Sequence, residues 1–227
     1  MEAVRERAAA AESRAGRAGG SVHLLAVTKR VEPERIREAA AAGITSVGEN
    51  YVQEAQAKRA ALDDLPLEWR LIGRLQTNKA GAARKLFGMI ETVDRVEVAE
   101  ALCKGSPAGM SRLDVLVQVS LAPGEGRSGV SPEQISPLLE RVLELDGLRL
   151  RGLMGVPLPS DDPSATRSHF RALRNLWEDL GRQMDGYAGR VAWDTLSMGM
   201  SGDFEIAIEE GSTSVRIGRA IFGERAV

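Results

Sequence analysis

Lys29 closes the apolar run His23-Leu24-Leu25-Ala26-Val27-Thr28, and a helical stretch from Pro33 to Ala42 follows within a few residues. A lysine whose aliphatic stem is buried at a strand end loses hydration. Its ammonium then releases a proton more readily, and the free amine can attack a carbonyl. Lys29 is therefore a candidate imine-forming lysine, with a solvated lysine in a strand-to-helix loop as the alternative. Far along the chain, Ser197-Met198-Gly199-Met200-Ser201-Gly202 and Ser214-Val215-Arg216-Ile217-Gly218-Arg219 carry groups suited to an oxyanion. Gly199, Gly202 and Gly218 let the backbone approach an anion closely, Ser201 supplies a hydroxyl, and N–H groups opening a helix that contains Phe204 and Ile206 add a favourable dipole. A glycine-serine turn also arises for structural reasons alone. Taken together, the two ends of the chain suit a phosphorylated aldehyde.

These groups meet only if the elements between them bring the ends together. Residues Met1 to Arg17, rich in alanine, glutamate and arginine and closed by Gly19-Gly20, predict an N-terminal helix. Apolar runs follow at His23 to Lys29, Ile44 to Asn50, Leu67 to Gly73, Met89 to Asp94, Leu113 to Ser120, Leu148 to Val156, Val191 to Met198 and Ser212 to Ile221. Between them lie helical patterns at Pro33 to Ala42, Val52 to Ala61, Lys79 to Leu86, Val96 to Lys104, Pro132 to Leu145, Ala165 to Met184 and Phe204 to Glu210. Eight strands alternating with helices predict a parallel sheet, and eight closes a (β/α)8 TIM barrel; an open doubly wound sheet uses the same alternation. Ser131 and the pair Asp161-Asp162, each just before a proline, mark helix starts. Phe170, Leu173, Leu176, Trp177 and Leu180 recur at helical spacing and read as core. Residues 123–129 form a glycine-rich loop that turn chemistry explains without a ligand.

The bulk composition narrows the function. With 227 residues, 43% hydrophobic and 27% charged, the chain suits one domain over residues 1–227. A net charge of −2 provides no field for a polyanion, so nucleic acid is not an expected partner. No apolar stretch approaches a membrane span and the start lacks the apolar segment of a signal peptide, which predicts a cytoplasmic protein with no membrane partner. Cys103 is the only cysteine and His23 and His169 the only histidines, so no disulfide, thiolate cluster or metal site is expected.

At the carboxyl ends of the strands, where barrels gather function, the sequence offers Lys29, Asn50, Gly73, Ser120, Met154-Gly155, Ser197 to Ser201 and Arg216 to Gly218. Strands one and eight are neighbours in a closed barrel, so Lys29 and Arg216 converge. Pyridoxal 5′-phosphate (PLP) satisfies each group: its aldehyde on Lys29, its phosphate on Ser201 and the backbone of Gly218 and Arg219, and its pyridine nitrogen facing Arg216. A fixed guanidinium donates to that nitrogen and discourages its protonation, which makes the ring a poorer electron sink. An ion pair of Arg216 with Glu209 or Glu210 is the alternative.

The segments Leu24-Leu25-Ala26-Val27-Thr28-Lys29, Val47-Gly48-Glu49-Asn50-Tyr51-Val52-Gln53-Glu54, Leu71-Ile72-Gly73-Arg74-Leu75-Gln76-Thr77-Asn78-Lys79, Arg151-Gly152-Leu153-Met154, Leu196-Ser197-Met198-Gly199-Met200-Ser201 and Ser212-Thr213-Ser214-Val215-Arg216-Ile217-Gly218 resemble the pyridoxal phosphate homeostasis proteins, relatives of the alanine racemase barrel. The resemblance runs from about Val22 to Gly223. It implies a barrel of PLP fold-type III, an aldimine on Lys29, a ring-nitrogen contact from Arg216, and phosphate contacts from Ser201, Gly218 and Arg219. It also places Asn50 beside the cofactor, with Met154 and Ser197 lining the pocket. The implied role is to carry or buffer PLP in vitamin B6 and amino-acid homeostasis, without enzymatic turnover and with transient contact to PLP-dependent apo-enzymes. Lys79 reads as a phosphate contact, a second transient amine or a solvated lysine. Where many relatives place a lysine-proline pair soon after the reactive lysine, this chain has Lys29-Arg30-Val31-Glu32-Pro33, so the first loop is expected to differ. A racemase or decarboxylase on the same barrel is the competing reading. It needs a second acid or base, which alanine racemases take from a C-terminal domain. Because the chain ends at Val227, a carrier that is a monomer with an open mouth is expected. A barrel for a sugar or nucleotide phosphate would leave Lys29 without a purpose.

Overall fold

A computed structural model of the protein describes all residues except 105–110, 122–127, 158–159, 161, 185, 188 and 225–227. Most of the glycine-rich loop and Asp161 lie outside the described residues.

The eight apolar runs form eight parallel strands that close into one barrel in sequence order. They are β1 (His23–Val27), β2 (Ser46–Glu49), β3 (Glu68–Leu71), β4 (Met89–Val93), β5 (Leu113–Val119), β6 (Leu148–Gly155), β7 (Val191–Met200) and β8 (Ser214–Ile217). Closure is direct: β1 pairs with β8, with Leu25 opposite Arg216 and Ala26 opposite Ile217. That pairing brings the two ends of the chain together and rules out the open sheet.

Helices α1 (Glu2–Arg14), α2 (Pro33–Ala41), α3 (Val52–Ala61), α4 (Ala80–Leu86), α5 (Val96–Cys103), α6 (Ile135–Glu144), α7 (Pro163–Gly181), α8 (Phe204–Glu209) and α9 (Arg219–Phe222), with 3-10 turns at Thr77–Lys79 and Pro132–Gln134, complete the described elements. The main core lies between sheet and helices, where Ile36, Val47, Leu102, Leu139, Leu153 and Phe170 are buried. Burying such side chains contributes about 1.5–3 kcal/mol each, the dominant favourable term in folding. The extra helix α1 packs Val4, Ala8 and Ala11 against Phe204, Ile208 and Val215. Its Glu12, almost fully buried, accepts from the N–H groups of Gly20 and Val22 and from the Ser21 hydroxyl, and so fixes the turn into β1.

Most element bounds shift by a few residues from the sequence reading, and three differences matter locally. α1 ends at Arg14, and Gly16 follows with φ 66°. Ser131 precedes a 3-10 turn (Pro132–Gln134) and makes no side-chain cap, whereas Asp162 caps α7 through Ser164 N–H at 2.9 Å. β8 stops at Ile217, and Arg219 to Phe222 make a helical turn where a strand is expected. Short apolar runs carry no signal that separates these two states. The Phe170 stripe does face the core, with Trp177 stacked on Trp193 at 6.3 Å.

Candidate functional site

A cavity of about 440 Å³ opens at the carboxyl ends of the strands, within the range of small-ligand sites. Its walls bring together Lys29, Asn50, Met154, Ser201, Arg216, Gly218 and Arg219, which are seven of the eight residues expected there. The eighth, Ser197, lies fully buried and bonded to Arg216 rather than on the cavity wall.

Lys29 is the second residue past β1, at a turn held from outside the barrel. Thr28 and Glu49 are fully buried, and the Thr28 hydroxyl donates to Glu49 Oε1 at 2.6 Å. Lys58 of α3 reaches in to donate to Thr28 O at 2.5 Å, Glu49 Oε1 at 2.8 Å and Glu54 Oε1 at 2.6 Å. Glu54 in turn accepts from the Arg30 N–H. This clamp grips the peptide on both sides of Lys29. It holds Arg30 at φ 56°, the one positive φ of a non-glycine residue among the described residues. Such a conformation persists only where its surroundings enforce it. Burial pushes the Glu49 carboxyl above its ordinary range, and the bonds from Lys58 and Thr28 oppose that shift. The first loop of this chain thus carries a left-handed residue at Arg30.

Asn50 is placed by close backbone contact. A Cβ on Gly73 would lie 2.2 Å from Asn50 O, so only glycine lets the end of β3 pass the end of β2 there. Gly199, with φ 96°, serves packing: a Cβ would meet Ala207 of α8 at 2.5 Å.

On the other side, Arg216 is 4% exposed and still reaches the cavity wall. Its Nη1 donates to Ser197 Oγ at 2.7 Å and its Nη2 to Gly155 O at 2.9 Å. Burial lowers its proton affinity, and the nearby charges of Glu91 and Asp203 act the other way. The alternative ion pair does not form: Glu209 and Glu210 bind Arg14, Arg167 and Arg171 instead. Ser201 Oγ accepts from the N–H groups of Gly218 at 3.2 Å and Ala220 at 3.3 Å, which leaves its own proton to donate. The hydroxyl thus stands at the start of α9, beside exposed Arg219. Asp203, which the sequence reading overlooked, also lines the cavity; its carboxylate accepts from Met200 N–H at 2.6 Å, and burial raises its pKa.

Lys79 is elsewhere. It borders a neighbouring cavity of about 620 Å³ with Arg74, Arg95, Gln76 and Asn78, and the two cavities share Asn50. Burial raises the pKa of the Cys103 thiol, so little thiolate forms at neutral pH. Among the described residues no three His, Cys, Asp or Glu side chains cluster as metal ligands, and no helix is long and apolar enough to cross a membrane.

The sequence reading also missed Glu49, Lys58 and Glu91. Only the GENYVQE string hinted at the first.

Comparison with known proteins places this geometry in context. The family model of the alanine racemase N-terminal domain matches residues 1–226. The pyridoxal phosphate homeostasis protein of Pseudomonas aeruginosa is 45% identical over 222 residues, covering 98% of this chain and 91% of its own. That of Aquifex aeolicus is 43% identical over 225 residues, covering 99% and 96%. Among solved structures, PipY of Synechococcus elongatus with PLP bound is 36% identical, with TM-score 0.82 over 97% of this chain and 100% of PipY. Alanine racemase of Clostridium difficile, 15% identical, has TM-score 0.71 over 98% of this chain and 57% of its own; that likeness concerns the fold alone.

Proposed function

This chain belongs to the alanine racemase N-terminal domain family, among its pyridoxal phosphate homeostasis proteins, and on that premise we propose that it binds PLP and acts in PLP and amino-acid homeostasis as a carrier or buffer. The observation that carries the reading is the convergence of Lys29, Arg216 and Ser201 on one cavity of about 440 Å³, formed where β1 meets β8.

The donor set fits the cofactor part by part. When bound, PLP supplies an electrophilic aldehyde carbon and a conjugated ring that can accept charge. Lys29 is the amine that would anchor it covalently, and the clamp of Glu49, Glu54 and Lys58 orients the loop that carries this amine. Arg216, an acceptor-free cation locked by Ser197 and Gly155, would donate to the ring nitrogen and hold it unprotonated. Ser201 would give its hydroxyl proton to the phosphate, with the backbone of Gly218 and Arg219 alongside and the Arg219 charge near the dianion. Met154, 1% exposed, and Asn50 would flank the ring and exclude water from it.

An arginine at the ring nitrogen disfavours charge build-up on the ring, which supports holding the cofactor over turning over substrates. Among the described residues, the titratable side chains on the wall are Lys29, Asp203, Arg216 and Arg219, and Asp203 is engaged by Met200 N–H. We therefore read the protein as a non-enzymatic, monomeric, cytoplasmic PLP carrier. It would comprise one domain over residues 1–227 and hand its ligand to PLP-dependent apo-enzymes.

The test is a visible absorption titration with PLP of wild type and Lys29→Ala. Wild type is expected to develop the band of a lysine-bound cofactor, the variant to lack it, and an apo-enzyme added to loaded wild type to regain activity. Identical spectra for the two proteins would contradict the anchor. Sustained racemisation of an amino acid by the loaded protein would contradict the carrier reading.

A further inference from the structure

The lumen of the barrel holds a chain of polar groups that runs from the cavity floor toward the strand starts. Glu91, on β4, stands opposite β8 in the strand order and is fully buried. Its Oε2 accepts from Ser197 Oγ at 2.6 Å, and its Oε1 lies 3.5 Å from Arg70 Nη1. Arg70 forks onto Glu68, which also accepts from the Ser46 hydroxyl at 3.0 Å. Positive and negative groups alternate along this path from Arg216 to Glu68.

The direction of the middle bonds follows from the groups themselves. A guanidinium only donates and a hydroxyl has one proton to give, so Ser197 accepts from Arg216 and its proton goes to Glu91. Its lone pairs then face Arg216, which donates to them at 2.7 Å. Glu91, by taking the Ser197 proton, thereby fixes where the hydroxyl sits and where its lone pairs receive the guanidinium. It also balances two arginines in a space where unpaired charge is costly. With Nη2 tied to Gly155 O, the guanidinium is held at two points and its remaining N–H groups are left for the cavity.

Resting on the PLP reading, we propose that Glu91 is a positioning residue for the ring-nitrogen contact: acting through Ser197, it sets the orientation of Arg216 and so keeps the ring nitrogen of bound PLP hydrogen-bonded and unprotonated. The residue touches no ligand. An effect routed through Ser197 vanishes once Ser197 is removed, whereas direct attraction between the Glu91 and Arg216 charges does not, and this separates the proposal from a general electrostatic or packing contribution.

The experiment is a double-mutant cycle on PLP affinity, read by absorption titration, with the ¹⁵N resonance of ring-labelled PLP recorded on each protein. Glu91→Gln and Ser197→Ala are each expected to weaken binding about tenfold, the order expected for loss of one hydrogen bond to a charged group. The double variant is expected to be no weaker than the weaker single one, and Ser197→Thr to restore affinity. In Glu91→Gln the ¹⁵N signal should move toward that of a pyridine without a hydrogen bond. A double variant about a hundredfold weaker, or an unmoved ¹⁵N signal in Glu91→Gln, overturns the proposal. If Glu91→Gln does not fold, Ser197→Ala and Ser197→Thr carry the test, and equal ¹⁵N signals in those two overturn it. Wild type that binds no PLP sinks the functional reading and this proposal with it, whereas binding with additive effects sinks only this proposal.

Discussion

Between sheet and helices, Ile36, Leu62, Leu102, Leu139 and Phe170 are packed away from water by hydrocarbon neighbours. Inside the barrel, Glu91, Arg70, Ser197 and Arg216 are almost as well buried, yet each is held by hydrogen bonds of fixed direction. Among the described residues, Met89, Leu116 and Met154 form a small apolar cluster separate from the main core. The difference teaches what each kind of burial is for. Hydrocarbon contact is non-directional and stabilises whichever packing excludes water. A buried charge with one good partner fixes a side chain in a single orientation and adds little net stability. The outer layer accounts for the fold, and the lumen and the Lys29 clamp account for the aim of the site.

This contrast can be broken from the outside first. Phe170→Ala, in the outer layer, is expected to lower stability by about 3–5 kcal/mol in denaturant unfolding and leave PLP affinity of the folded protein unchanged. A large loss of affinity at unchanged stability would blur the two roles. Lys58→Met removes the cation of the clamp and leaves Glu49 buried without its charge partner. The expected cost is about 3 kcal/mol, together with slower attachment of PLP to Lys29, since the peptide on either side of that lysine loses its holder. Unchanged attachment kinetics would restrict the clamp to stability.

The lumen should also respond to acid, where the outer layer has nothing to titrate. Burial, with the Arg70 charge beside it, pushes the His23 pKa down to about 4. The unfolded chain, with an ordinary value of about 6.5, binds more protons between those two pH values. Stability is therefore full above about pH 6.5 and declines as pH falls toward about 4, by at most about 3 kcal/mol. His23→Asn should flatten this slope in unfolding experiments across that window. An undiminished slope would assign it to other groups.

The sequence disclosed the outer layer more readily than the lumen. Largely apolar runs such as Leu113–Val119, broken only by Asp114 and Gln118, read as strands because a parallel sheet buries both faces. Strand count suggested a closed barrel with Lys29 and Arg216 on neighbouring strands, and the β1–β8 pairing supplied the closure that brings them to one cavity. The lumen charges were harder to place. Glu68-Trp69-Arg70-Leu71 alternates with period two, which ordinarily sends the polar side chains to water, whereas in this barrel Arg70 turns toward Glu91. Nothing local marks that inversion, since it depends on closure. Lys58 and Glu49 were equally hidden: a lysine and a glutamate nine residues apart meet only because α3 folds back onto β2. The helical turn of Arg219 to Phe222 was missed for a smaller reason, that four residues carry no period.

The central claim is that Lys29, oriented by the clamp beside β1 and faced by Arg216 from β8, is the amine that takes up PLP. Borohydride reduction of the PLP-loaded protein, followed by peptide mass mapping, tests it directly. The account predicts a single phosphopyridoxyl group on Lys29, absent from Lys29→Ala, whereas a group on Lys79 or on no lysine at all would contradict it.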